Sequence, residues 1–195
     1  MKAKKTDNHN LKAKLDLRRS FLREYNPDKP LSVVDCFSGE EEAIWTQLRS
    51  EFNVGAYLAL DIKPKRNRLK LDSLRYLQTQ NWTHDVIDLD AYGSPWRHWH
   101  GVLKRGLDCT VFLTVGSTGF RIQQTEALQT LGITFPVPIG FHAGLEQLVI
   151  TANLGLALDR FEVLRAAQAE NPGGNALYFG LRLKKRENAN ETASK

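Results

Sequence analysis

Two aspartates stand one residue apart near the end of an apolar run, in the stretch VIDLDAYGSP (86–95): Asp88 and Asp90, followed by Ala91, Tyr92, Gly93, Ser94 and Pro95. Side chains two apart on a strand share a face, so both carboxylates point to one region. Two acids and an aromatic ring at a strand end suit an enzyme that grips a flat, polar substrate. The alternative is a plain strand end, with Ser94 capping a helix whose first residue is Pro95. That alternative explains Gly93, Ser94 and Pro95 but not two acids inside an apolar strand.

The surrounding elements must hold those residues in place. The leucines and phenylalanine of LKAKLDLRRSFLREY (11–25) fall at helical spacing and predict an amphipathic helix. Strands are predicted at 31–37, 55–62, 67–72, 84–92 and 108–116, with helices at 41–52, 73–80 and 95–106 between them. Such alternation predicts an α/β domain with a parallel sheet covered on both faces. Residues 117–143 are irregular and proline-rich. A long helix follows from 143, then two strands, FEVLRAAQA (161–169) and ALYFGLRLKK (176–185), joined by the turn ENPGG.

A mostly parallel sheet closed by a C-terminal antiparallel hairpin resembles the Rossmann-like class I methyltransferases. In open sheets of this kind ligands bind beyond the carboxyl ends of the strands, where the strand order reverses. Acids stand at three other strand ends. Asp35, followed by Phe37 and Gly39, lies where the resemblance implies that the amino-acid part of S-adenosylmethionine is held by backbone amides. Ser38 and Glu41 also read as a capping box, and the run Glu40–Glu42 as acids favoured at a helix start. Asp61, with Ile62 after it, is spaced to accept from a ribose diol, or is an exposed acid beginning a turn. Asp72, followed by Ser73, could accept from the adenine amine or serve as an N-cap.

DLDAYGSP is similar to the fourth motif of amino-group methyltransferases, and more closely to the DLDPFGSP stretch of the tRNA guanine-N2 dimethyltransferases. The ordered likeness runs over roughly residues 30–185 and takes in CTVFLTVGSTG (109–119), the helix opening at His142 and the last strand. The resemblance implies an S-adenosylmethionine-dependent N-methyltransferase acting on an exocyclic base amine, with RNA (tRNA included) favoured over DNA. Asp90 would orient and deprotonate the amine and also border the cofactor, Tyr92 would stack on the base, and Asp88 would support them. The Ala91 carbonyl would accept from the amine. Gly93, Ser94, Pro95 and His142, with the segment 134–143, would line the substrate side. Ala91 departs from the family's proline, and the loop after Asp35 keeps one glycine. The chain is also too short for the C-terminal domain with which the tRNA enzymes seat their substrate. A degenerate, non-catalytic nucleic-acid-binding relative is therefore the alternative, and an enzyme for a protein or small-molecule amine a third reading.

The 195 residues are 42% hydrophobic and 25% charged, the composition of a soluble globular domain. The sequence divides into a basic arm and helix (1–30), the methyltransferase-like domain (31–186) and a disordered polar tail (187–195). Neither a signal peptide nor a membrane anchor is predicted. Cys36 and Cys109 lie in apolar runs and read as reduced core residues of a cytoplasmic protein. The first thirty residues hold nine Lys/Arg against four Asp/Glu, and the rest eighteen of each, so the net charge of +5 lies in the arm. Together with Lys63, Lys65, Arg66, Arg68 and Lys70 it could dock on phosphates, or be a solvated helix with a basic tail. His98 and His100, two apart, have the wrong spacing for a metal site on one helix face. No metal is expected, and Trp45, Trp82, Trp96 and Trp99 read as packing.

Overall fold

The runs at 31–35, 86–89 and 109–115 are mostly apolar, as in strands buried on both faces, and they form the centre of the sheet. The computed structural model describes residues 10–38, 43–62, 69–79, 81–91, 93–116, 143–170 and 176–187. Its strands are β1 (Leu31–Asp35), β2 (Val54–Asp61), β3 (Leu69–Lys70), β4 (Val86–Leu89), β5 (Cys109–Gly116), β6 (Phe161–Ala169) and β7 (Ala176–Lys185). They lie in the order β3-β2-β1-β4-β5-β7-β6. The first five are parallel, and β7 runs antiparallel between β5 and β6. The predicted α/β architecture with its terminal hairpin is the observed one. The strand order reverses between β1 and β4, where Asp35 and Asp88 are register partners.

Alternation along each strand divides the core in two. Val33, Val86 and Phe112 face α1 (Leu11–Leu22) and α2 (Ala43–Glu51) together with Trp45, Leu48, Phe21 and Tyr178. Val34, Ile87, Val111 and Leu113 face the other way, into a cluster with Trp82, Trp96 and Trp99. That layer holds α3 (Ser73–Leu77), α4 (Trp96–Arg105), α5 (Ala143–Gly155) and a short 3-10 turn at Leu156–Asp159. Cys36 and Cys109 are buried and unbridged. Among the described residues no helix is long and apolar enough to cross a membrane.

α1 runs antiparallel to β4. Lys14 near its start meets Asp90, Arg18 meets Asp88, and beyond its end the Tyr25 hydroxyl donates to the Asp85 carbonyl at 3.0 Å. The Phe21 ring meets Phe112 edge-on, with centroids 5.6 Å apart. It also fills the space above Gly180, where an added Cβ would come within 2.6 Å of the ring. The glycine in β7 is thus what lets the helix sit on the sheet.

Several elements are shorter than predicted. α1 ends at Leu22 because Glu24 and Tyr25 turn back onto the Phe21 and Leu22 carbonyls in tighter i→i−3 bonds. β4 ends at Leu89 because Ala91 N–H turns back to the Leu89 carbonyl at 2.8 Å. The sequence placed Ser94 as the cap of α4 and Pro95 as its first residue. Instead Pro95 is the N-cap, with φ −88° and no side-chain cap bond, and Trp96 begins the helix.

Candidate functional site

Asp88 is the best-anchored acid at the crevice. Its side chain and that of Arg18 are each 1% exposed, and they form a two-pronged pair: Nε to Oδ2 at 2.8 Å and Nη2 to Oδ1 at 2.7 Å. The Trp45 indole N–H donates to Oδ2 at 2.7 Å. Burying a carboxylate is costly unless a cation and further donors satisfy it, and here α1 and α2 supply both. Burial works against the Arg18 charge, but Asp88 outweighs it and raises its affinity for the proton. These contacts occupy Asp88 as the clasp between α1 and β4.

Asp90, the first residue past β4, keeps its side chain 18% exposed. The Lys14 ammonium, 7% exposed, reaches it over 76 residues and contacts both oxygens, at 2.7 and 2.9 Å. Arg18 Nη2 lies 4.0 Å from Asp90 Oδ2. Burial pushes Asp90 up, yet Lys14 and Arg18 prevail and hold its carboxyl below the usual carboxylate range. Asp90 is therefore held in its ionised form.

Asp35 ends β1 on the same side. Its oxygens accept from the Phe37 N–H at 3.2 Å and the Tyr57 hydroxyl at 3.0 Å. Burial first, and then the Asp88 charge, push its carboxyl up to about 8. At neutral pH Asp35 therefore holds its proton, and the carboxylates of Asp88 and Asp90 face two cations, Lys14 and Arg18. A cationic group would draw the proton off Asp35.

The turn after Asp90 is built on close backbone contact. Gly93 has φ +120°, a conformation that side chains other than glycine rarely adopt. Gly93 N–H donates to the Ala91 carbonyl at 3.0 Å, and Gly116 N–H donates to the Gly93 carbonyl at 2.8 Å. The Ala91 carbonyl keeps a second lone pair.

A second group of residues gathers around β2 and β3. Asp72 is the N-cap of α3, its Oδ1 accepting from Leu74 N–H at 2.9 Å and from Arg75 N–H at 3.4 Å. Ser73 is buried, and its hydroxyl lies 3.0 Å from His98 Nε2. The His98 ring stands 4.5 Å from that of Phe37. Burial lowers this histidine to about 4, so it is neutral at neutral pH. Its buried Nδ1 finds no hydrogen-bond partner among the described residues. Asp61 ends β2 half-buried, with Ile62 beyond it 61% exposed. Ser38 directs its N–H and its hydroxyl to the Leu60 carbonyl, each at 3.2 Å, while Glu41, its partner in the expected capping box, lies outside the described residues.

The structure therefore gathers Asp35, Phe37, Asp88 and Asp90 at the crevice, with Ala91 and Gly93 in the turn beyond, and Ser73 near Phe37 through His98. Gly39, Tyr92, His142, Glu40–Glu42, the cluster Lys63, Lys65, Arg66 and Arg68, and the segment up to 142 lie outside the described residues. The sequence reading missed Lys14, Arg18, Trp45, Tyr57 and His98. The first two carried a signal: two cations at i and i+4 on the face of α1 that also holds Phe21 and Leu22. The remaining cations of α1 are partnered too. Lys12 pairs with Asp16, and Arg19 with Glu51 at 2.7 Å. The helix half of the basic arm is thus engaged within the protein.

Neither a protein-family model nor a curated protein sequence matches the chain. Among solved structures it is similar to Trm1 from Pyrococcus horikoshii in complex with S-adenosyl-L-methionine, at 13% identity and a TM-score of 0.56. That match covers 91% of this chain and 54% of the other, so the chain spans about half of that protein's length. A candidate rRNA-methylase from Clostridium thermocellum is similar at 12% identity and a TM-score of 0.54, over 89% of this chain and 97% of that one. Strand order, terminal hairpin and these likenesses agree: the chain has the class I methyltransferase fold.

Proposed function

We propose that this protein is an S-adenosylmethionine-dependent methyltransferase whose acceptor is an exocyclic amine of a nucleic-acid base, RNA before DNA. The observation that carries the reading is the acid cluster at the strand-order reversal. Asp35 and Asp88 stand side by side there, and Asp90 projects beyond them, ionised and part-exposed. A sulfonium cofactor fits beside Asp35, since a cation there would draw the proton off that acid and be balanced by the charge so created. Asp61 and Ile62 would take the ribose and adenine, and Ser73, His98 and Asp72 the adenine edge. The cofactor supplies an electrophilic methyl group. Asp90 and the free lone pair of the Ala91 carbonyl would orient the amine so that its nitrogen faces that methyl, with Tyr92 as the base platform.

The test is a calorimetric titration with S-adenosylmethionine of the wild type and of Asp61→Ala, followed by transfer of labelled methyl to tRNA and single-stranded DNA. Micromolar binding that weakens at least tenfold in the variant, with transfer to RNA abolished by Asp90→Ala, is the expected result. A second reading, a nucleic-acid-binding protein without catalysis, draws on the Lys14 ammonium already seated on both Asp90 oxygens. Salt-dependent RNA binding with no cofactor heat would favour it. The cytoplasm is the setting in which two unbridged thiols and an RNA substrate fit together.

A further inference from the structure

An ammonium bound to both oxygens of the residue that should grip the acceptor amine calls for a role. Lys14 is buried on α1, and three contacts fix it there. Its carbonyl accepts from Arg18 Nη1 at 3.1 Å, Arg18 is itself clasped to Asp88, and its Nζ lies 5.2 Å from the centre of the Tyr178 ring of β7. A carboxylate offers about four lone-pair sites. Lys14 occupies one on each oxygen, and the 18% exposure of Asp90 leaves an open side. The lysine is therefore a co-ligand of the carboxylate rather than a plug over it.

We propose that Lys14 is a positioning residue for the methyl acceptor: it keeps Asp90 a fixed, ionised hydrogen-bond acceptor that aims the amine and does not take its proton. This rests on the assignment of Asp90 as the amine acceptor. The charged groups that face Asp90 are Lys14 and Arg18 from α1, which favour its charge, and Asp88 from β4 and Asp35 from β1, which oppose it. The two cations outweigh burial and hold Asp90 below the usual carboxylate range, which suits an acceptor and disfavours a base. In the reaction the nitrogen lone pair forms a bond to the methyl carbon, and the carbon–sulfur bond breaks. Its electron pair stays on sulfur, giving the neutral thioether. The methylated nitrogen then carries one proton too many, which leaves to water while Asp90 stays ionised.

The proposal is tested with Lys14→Met, Lys14→Gln and Lys14→Arg in the full chain. The Asp90 carboxyl is followed by carbon NMR, assigned with Asp90→Asn, and the pH dependence of methyl transfer to RNA is measured. In Lys14→Met and Lys14→Gln the Asp90 titration should move up, because burial is then opposed by Arg18 alone. Their kcat should fall about tenfold per pH unit below the raised Asp90 titration read by NMR and recover toward, but not beyond, wild type above it, with KM for the cofactor unchanged. Lys14→Arg should behave as wild type. An Asp90 that does not move in either neutral variant overturns the proposal alone. A neutral variant faster than wild type at high pH also overturns it, since a stronger carboxylate base would then be helping. A wild type that methylates no nucleic acid while Asp90 still moves overturns the functional reading, and the role of Lys14 with it.

Discussion

Arg18→Met removes two of the three donors that Asp88 has in this structure, the Nε and Nη2 bonds at 2.8 and 2.7 Å, and leaves the Trp45 indole as the third. The acid stays 1% exposed and loses its counter-charge. Breaking a buried pair from one side costs about 3–5 kcal/mol, out of a total of about 5–15 kcal/mol for a domain. With a urea slope of about 2 kcal/mol per molar, the unfolding midpoint should fall by about 1.5–2.5 M. Asp88→Leu should cost a similar amount, because it strands the guanidinium against Phe112, whose ring centre lies 5.1 Å away. The double variant Arg18→Met with Asp88→Leu replaces both charges by apolar groups and should cost less than either single change. Urea unfolding followed by tryptophan fluorescence measures all three, since Trp45 contacts Asp88 directly. Single variants that lose less than about 1 kcal/mol, or a double variant whose cost is the sum of the singles, would refute the view of this pair as the clasp of α1.

Three further outcomes follow from the same contacts. Asp35→Asn should stabilise the protein increasingly as pH rises. The native carboxyl binds its proton up to about 8 and the unfolded one only to about 4, so wild-type stability is lost across that window, at up to about 1.4 kcal/mol per pH unit. Thermal melts at several pH values check this, and an advantage that does not grow with pH would exclude it. Gly180→Ala should cost about 1–3 kcal/mol, since its Cβ would meet the Phe21 ring at 2.6 Å, and Phe21→Leu in the same chain should recover part of the loss in urea unfolding. Asp72→Ala should lose the α3 cap, about 1 kcal/mol. Asp72→Asn should keep that stability in the same melts while weakening calorimetric cofactor binding, if the carboxylate reaches adenine.

The order of strands and helices was legible because each apolar run carries its own period. β6 and β7 begin and end where their apolar patterns do, and Asp35 and Asp61 stand at the ends of β1 and β2, whereas β3 ends at Lys70, two residues before Asp72. Local chemistry was less decisive where two local solutions competed. Ser94 was read as a cap, but the backbone turn through Gly93 and Gly116 sets the start of α4 instead. Asp72 does cap α3, and a cofactor contact asks for its second oxygen.

The class of fold and the acids near the strand ends can be read from the residues alone. Both follow from properties of short segments: apolar periodicity, turn residues, and the types of side chain at their ends. The state of those acids is set by packing between distant segments. The partners of Asp88 and Asp90 lie 70 and 76 residues away on α1, and they reach the crevice only because that helix lies antiparallel to β4 over Gly180. The same Lys14 and Arg18 counted in the sequence as part of a basic arm for phosphates are, once folded, buried counter-ions. Burial and proximity set their charge partners, and both are properties of the packed layers rather than of any segment.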